Sequence, residues 1–308
     1  MIMKKTLPTV IYFGNEQIAT GTETEAPVLR GLIESGYKVL AVIANHKTPR
    51  SRTQKELEVV KLAKLHGIPL LDPANMKLVE DKIKDLKPDV GILIAFGKII
   101  PQNIIDLFPA GIVNLHPSLL PLHRGPTPIE SVILKGEQKT GVSIMALGKK
   151  MDAGPVYAQS EIGLDGTETK QHLATKLSEI GSAMIIDLLP EIVSGQAVAL
   201  PQDESRATYD GLISKDDGNI DWGKPAKQIE REVRAYLGWP GSRAKISDKD
   251  TIITLAEVAK LIDQPGKIES IDNQLIAYCS RNALKIKILK PAGKKEISAQ
   301  EFIRGYQL

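Results

Sequence analysis

One change of rhythm along the chain constrains its fold more than any other feature. Across the first two hundred of its 308 residues, short β-rich runs alternate with segments of helical periodicity. That alternation is the signature of a parallel sheet with crossover helices, the α/β class. Strands are predicted over 10–13, 37–44, 68–71, 90–95 and 111–115, with helices over 27–35, 56–66 and 77–86 between them. The run 90–95 is almost continuously apolar, as befits a strand covered on both faces. A helix is predicted over 127–134 and strands over 140–146 and 156–162. The stretch 170–193 then reads as one long helix with a break near Pro190.

The rhythm stops after residue 200. Residues 200–218 are polar and turn-rich, with Asp203, Glu204, Ser205, Asp216, Asp217 and Gly218, and read as a linker. An amphipathic helix over 225–237 ends at Gly238-Trp239-Pro240-Gly241. Beyond it, five or six short strands separated by Asp, Asn, Gly and Pro suggest a small β-barrel. The expected domains are therefore 1–204 and 205–308.

Composition narrows the function classes. The net charge of +3 is too small to announce a nucleic-acid binder by itself. The charge is uneven, however: Arg281 to Lys295 holds six basic residues, Lys285 and Lys287 among them, and no acidic one. Such a run is either a solvated strand face or a phosphate-facing patch. Cys279 is the only cysteine, which excludes an internal disulfide and a Cys-rich zinc site. No apolar run reaches the roughly 18 residues of a membrane span, and the first residues lack a small-residue cleavage pattern, so a cytoplasmic protein is expected.

Chemistry concentrates in two places. Val113-Asn114-Leu115-His116-Pro117-Ser118-Leu119-Leu120-Pro121 closes a predicted strand, and Met151-Asp152-Ala153-Gly154 follows some thirty residues later. Asn114 and His116 are two apart on extended backbone and so share a side. An amide can donate to an oxyanion without titrating, and an imidazole can give and take a proton near neutrality. Asp152 can fix the imidazole tautomer, stabilise an imidazolium or hold a relaying water. Together they fit acyl transfer without a covalent enzyme adduct. Taken singly, Asn-x-His at a strand end is more often a structural pair, and Asp-Ala-Gly more often a turn. His123 and Arg124 read equally well as surface residues. Ser118 lacks the glycines of a nucleophile elbow, Gly14 opens no G-x-G-x-x-G motif, and no ligand spacing calls for a metal.

The ordered run Asn114 to Pro121, with Arg124-Gly125-Pro126, Thr140-Gly141-Val142-Ser143-Ile144-Met145 and Met151 to Pro155, resembles the folate-dependent formyltransferase family. The resemblance implies a Rossmann-like catalytic domain, with Asn114, His116 and Asp152 as the catalytic set. It implies 10-formyltetrahydrofolate as formyl donor, held by Ser118, Leu119, Leu120 and Pro121 with Phe96 and Gly97, and no metal. The segments 213–222, 239–241 and 301–306 are similar to the second half of the members that formylate methionyl-tRNA. That likeness implies an OB-like, tRNA-holding C-terminal domain and initiator methionyl-tRNA as partner; no membrane partner is expected, and the enzyme is expected to be a monomer. The basic loop 45–55, shorter than is usual in the family and without its glycines, offers Lys47, Arg50 and Arg52 for tRNA phosphates, alongside Lys285 and Lys287. A sugar-nucleotide N-formyltransferase is the alternative, and an inactive RNA-binding protein a more distant one.

Overall fold

The computed structural model describes residues 7–44 and 56–306. Its first half runs β1 (Thr9–Gly14), α1 (Pro27–Glu34), β2 (Lys38–Ile43), α2 (Glu58–Leu65), β3 (Leu70–Leu71), α3 (Met76–Leu86), β4 (Val90–Ile94), α4 (Gln102–Ile105), β5 (Ile112–His116), α5 (Pro128–Lys135), β6 (Lys139–Ala146), β7 (Val156–Gly163) and α6 (Lys170–Val193). Among the described residues these strands form one seven-stranded sheet in the order β3-β2-β1-β4-β5-β6-β7. From β3 to β5 every pairing is parallel. The parallel sheet expected over the first half is thus present, and its last two strands add an antiparallel edge, β6 pairing antiparallel with β5 and β7 with β6. Only residues 147–155 join β6 to β7, too few for the crossover that a parallel pair requires.

Alternation along the strands sorts side chains into two cores. Val10, Tyr12, Val113 and Leu115 face one cluster that takes in α1, α2, α5 and α6. Ile11, Phe13 and Ile112 face the other, against α3 and α4. Asn114 and His116 continue the side of Ile112 at the carboxyl end of β5, close to the switch point at which the chain crosses from β3 to β4 on the far side of β1.

Two helices depend on distant side chains. The first turn of α1 has no local side-chain cap. Instead the buried Glu16 carboxylate accepts from Val28 N at 2.9 Å and Leu29 N at 2.7 Å. Helix α6 continues through Pro190 rather than breaking there. The carbonyl of Ile186, four residues before, loses its helical donor to the proline, and the Tyr37 hydroxyl supplies one at 2.8 Å.

The second half comprises α7 (Ala226–Ala235), β8 (Ser242–Ile246), β9 (Lys249–Ala259), β10 (Ile268–Ile271), β11 (Gln274–Tyr278), β12 (Ala283–Pro291), β13 (Ile297–Ser298) and α8 (Ala299–Gly305). The strands form an antiparallel, barrel-like sheet in the order β10-β11-β12-β9-β8, with β13 on β12. Helix α8, unanticipated, begins with a full capping box between Ser298 and Glu301 and buries Phe302 in the C-terminal core.

Helix α7 joins the two halves. Its Ala226, Ile229 and Val233 belong to the C-terminal core, while Ala235 and the following Tyr236 belong to the first. Beside it, the buried Lys170 ammonium donates to the carbonyls of Thr20 at 2.6 Å and Trp239 at 2.7 Å, with Glu130 Oε1 3.7 Å away. Among the described residues, no helix is long and apolar enough to cross a membrane.

Candidate active site

Strand β5 delivers Asn114 and His116, and its pairing with β4 and β6 fixes their height: Asn114 lies opposite Leu93 and Met145, His116 opposite Ser143. Both side chains are buried, at 6% and 5% exposure. His116 Nε2 lies 2.8 Å from the carbonyl oxygen of His123. A carbonyl only accepts, so Nε2 carries the hydrogen and Nδ1 is left as the reactive nitrogen. Nδ1 faces Asp152 Oδ1 across 3.8 Å. That gap exceeds a direct hydrogen bond and suits an intervening water. The Asn114 amide has no hydrogen-bond partner among the described residues and keeps its donors for a ligand.

The turn between β6 and β7 carries Asp152 in a left-handed conformation, φ 49°. Asp152 Oδ2 accepts from Gly125 N at 2.8 Å. Glycine is required there, because at φ 112° a Cβ would stand 2.3 Å from the Asp210 carbonyl oxygen. Gly154 is bound for a similar reason: its Cβ would stand 1.9 Å from the Ala146 carbonyl oxygen. Gln202 Nε2 then ties the turn down, donating to the carbonyls of Asp152 at 2.8 Å and Gly154 at 2.7 Å.

His123 and Arg124 correct the surface reading, since both are buried. Arg124 makes a two-pronged pair with Glu204, at 2.7 and 3.1 Å, and also donates to Gln202 and to the Tyr209 hydroxyl. The hydrogen bond it donates to Glu204 raises the guanidinium pKa further. His123 Nδ1 lies 2.7 Å from Asp210 Oδ2 and its Nε2 3.0 Å from Glu137 Oε1. Burial alone would lower the His123 pKa, yet the hydrogen bonds and charges of Asp210 and Glu137 carry it above its ordinary value.

Most of these partners come from residues 200–211, part of the stretch read as a linker. That segment instead crosses the first domain. Leu200 pairs with Val156 in an isolated bridge, Arg124 N donates to Thr208 O at 2.9 Å, and Asp210 N donates to Arg124 O at 2.8 Å. Sequence reasoning missed Gln202, Thr208 and Asp210, whose partners lie 48 to 87 positions away. The buried His-Arg pair, which needs counter-charges from somewhere, was the available signal.

The loop 118–121 is held by its own polar groups. Ser118 Oγ donates to Leu122 O at 2.7 Å, Ser143 Oγ donates to Ser118 O at 2.6 Å, and Gln159 Nε2 donates to Leu120 O at 2.8 Å. Ser118 is thereby occupied as a brace, while Leu119 and Pro121 remain half-buried. Phe96, half-buried, and the exposed Gly97 follow β4, the strand beside β5. The Phe96 ring packs edge-on to Phe13 at 5.6 Å.

Of the basic residues, Lys47, Arg50 and Arg52 lie outside the described residues. Lys285 and Lys287 project from β12 opposite the face of the buried Leu284 and Ile286. Lys287 pairs with Glu257 of β9 at 2.9 Å, so the patch is partly neutralised by its neighbouring strand.

Comparison with known proteins agrees with this fold. The family model described as formyl transferase matches residues 18–189, and that of the formyl transferase C-terminal domain matches 212–307. The chain belongs to the formyl transferase family. Within it, the chain is similar to the methionyl-tRNA formyltransferase of Bacillus velezensis, with 37% identity over 91% of this chain and 90% of that one. Solved structures extend the likeness at the level of fold. HypX from Aquifex aeolicus in complex with tetrahydrofolic acid shares 17% identity at a TM-score of 0.67, covering 97% of this chain and 47% of that one. An N-formyltransferase from Helicobacter canadensis, in complex with folinic acid and dTDP-3-aminofucose, shares 18% identity at a TM-score of 0.68, covering 91% and 99%.

Proposed function

We propose that this protein transfers the formyl group of 10-formyltetrahydrofolate to the α-amino group of methionine carried by initiator tRNA, giving formylmethionyl-tRNA. The observation that carries the reading is the meeting of Asn114, His116 and Asp152 at one strand end, in a chain that matches methionyl-tRNA formyltransferases over nearly its whole length. The folate supplies an activated formyl group. An aromatic ring at Phe96, the exposed Gly97 and the braced loop Ser118, Leu119, Leu120 and Pro121 lie on adjacent strand ends and suit a planar heterocycle with polar edges.

The chain's own residues then manage charge and protons. The Asn114 amide, and His116 protonated at Nδ1, donate to the formyl oxygen as it gains negative charge. Asp152 stabilises the cationic imidazole and holds the water through which the attacking amine sheds its proton; the bond from the formyl carbon to the folate nitrogen then breaks, and that nitrogen takes up a proton as tetrahydrofolate leaves. The first domain, with residues 200–211 strapped across it, forms the catalytic unit and the C-terminal sheet with its helices the unit that helps hold the tRNA, the enzyme acting as a cytoplasmic monomer. Lys47, Arg50, Arg52, Lys285 and Lys287 contact phosphates and carry no chemistry.

Steady-state kinetics separates the two sets. Asn114→Ala and Asp152→Asn should lower kcat on the order of a hundred- to a thousand-fold with folding intact. Replacing Arg50 and Arg52 together should raise the KM for charged tRNA instead. Near-normal turnover in either of the first two variants contradicts the catalytic roles, and an unchanged KM in the last removes the phosphate assignment.

A further inference from the structure

The backbone carbonyl that fixes the His116 tautomer belongs to a residue in an unfavourable conformation. His123 has φ 59°, the left-handed region that residues other than glycine seldom adopt, histidine, asparagine and aspartate less seldom than most. Only in that conformation does this structure present the carbonyl 2.8 Å from His116 Nε2. The cost of the conformation must be met by contacts that over-determine it.

Three contacts do so. His123 N donates to Thr208 Oγ1 at 2.7 Å. Arg124, the next residue, exchanges main-chain hydrogen bonds with Thr208 and Asp210. The ring itself is gripped at both nitrogens, by Asp210 Oδ2 from the connecting segment and by Glu137 Oε1 just after α5. Lys135, at the end of α5, sits on Asp210 Oδ1 at 3.1 Å and 3.5 Å from the ring, so the pair of carboxylates is balanced by a lysine and the imidazolium. The His123 and Asp210 side chains are both buried, so this half of the grip is shielded from solvent, while Glu137 and Lys135 keep a solvent-facing side.

We propose that His123, clamped between Asp210 and Glu137, is a positioning residue that holds His116 in its Nε2–H tautomer through its own main-chain carbonyl. The inference rests on the reading of His116 as the catalytic imidazole. With the clamp in place, Nε2–H has a fixed acceptor and Nδ1 is kept for proton traffic with Asp152 and the substrate. Without it, the peptide at His123 is free to leave the left-handed region. Nε2–H then loses its buried acceptor, and the proton can move to Nδ1 in the neutral ring, which blocks the nitrogen that must take one up.

The test combines kinetics with nitrogen-15 NMR of the histidine rings in the full-length protein. In the wild type His116 should register as the Nε2–H tautomer. His123→Ala should lower kcat on the order of tenfold, leave the KM values for folate and charged tRNA unchanged, and convert the His116 signal to a mixture of tautomers. His123→Asn, whose side chain tolerates the left-handed backbone, should recover most of the rate and the single tautomer. It also serves as the folded probe if the alanine variant is unstable. Wild-type kcat with an unmixed Nε2–H tautomer in His123→Ala overturns the proposal, as does an asparagine variant no better than alanine. His116→Ala, run alongside, separates the layers. If it is inactive while the His123 variants behave as wild type, only the positioning role falls; if it is active, the assignment of His116 falls and this inference falls with it.

Discussion

At the scale of single residues, the proposed site divides into groups assigned to the chemistry and groups that hold those groups still. The candidates Asn114, His116 and Asp152 could be picked out of the sequence because two of them share a strand end at i and i+2 and the order of motifs around them is distinctive, and the structure brings His116 and Asp152 to 3.8 Å. Their supports were not legible. Gln202 meets Asp152 across 50 positions and Asp210 meets His123 across 87, in a segment whose composition reads only as turn. Gln202 also accepts from the Arg124 guanidinium at 2.9 and 3.1 Å, so one amide joins the catalytic turn to a buried cation. Gln202→Leu keeps the volume and removes every one of these bonds. It should lower kcat on the order of tenfold by loosening the Asp152 turn, and cost about 1–3 kcal/mol in denaturant unfolding because buried partners go unpaired. Unchanged kcat would show that the turn holds its shape without Gln202.

At the scale of elements, hydrophobic periodicity placed nearly every strand and long helix of the first half, since burial on two faces writes itself into the sequence. Direction was harder: nothing in the composition of β6 says that it runs against both of its neighbours, β5 and β7. Nor does local sequence show how α1 and α6 survive an uncapped start and an internal proline, because Glu16 and Tyr37 act from other elements. Glu16 makes a pH prediction. Burial, outweighing the amides of Val28 and Leu29 that favour its charged form, lifts its pKa from 4.5 to about 7. The folded state therefore binds this proton more tightly than the unfolded chain, so the contribution of Glu16 is most favourable below pH 4.5 and declines as pH rises through 7. The span corresponds to about 3 kcal/mol. Unfolding free energies measured from pH 4.5 to 8 should carry that downward term in the wild type and lose it in Glu16→Gln; parallel curves would contradict the assignment.

At the scale of the whole molecule, the two halves are joined by more than a linker. Helix α7 contributes to both cores, Lys170 binds carbonyls from both sides of the junction, and residues 200–211 brace the catalytic turn before the chain enters the C-terminal sheet. The change of rhythm near residue 200 announced two units, but not that the segment between them would serve the site, because a polar turn-rich stretch has the same composition whether it is exposed or strapped to a surface. The account's central claim concerns which amine the site formylates, and one measurement addresses it directly. The protein is incubated with 10-formyltetrahydrofolate and either methionine-charged initiator tRNA or an amino-sugar nucleotide, and the formylated product is identified by mass. The account predicts formyl-methionine on the tRNA and an unmodified sugar nucleotide; formylation of the sugar with the tRNA untouched would contradict it.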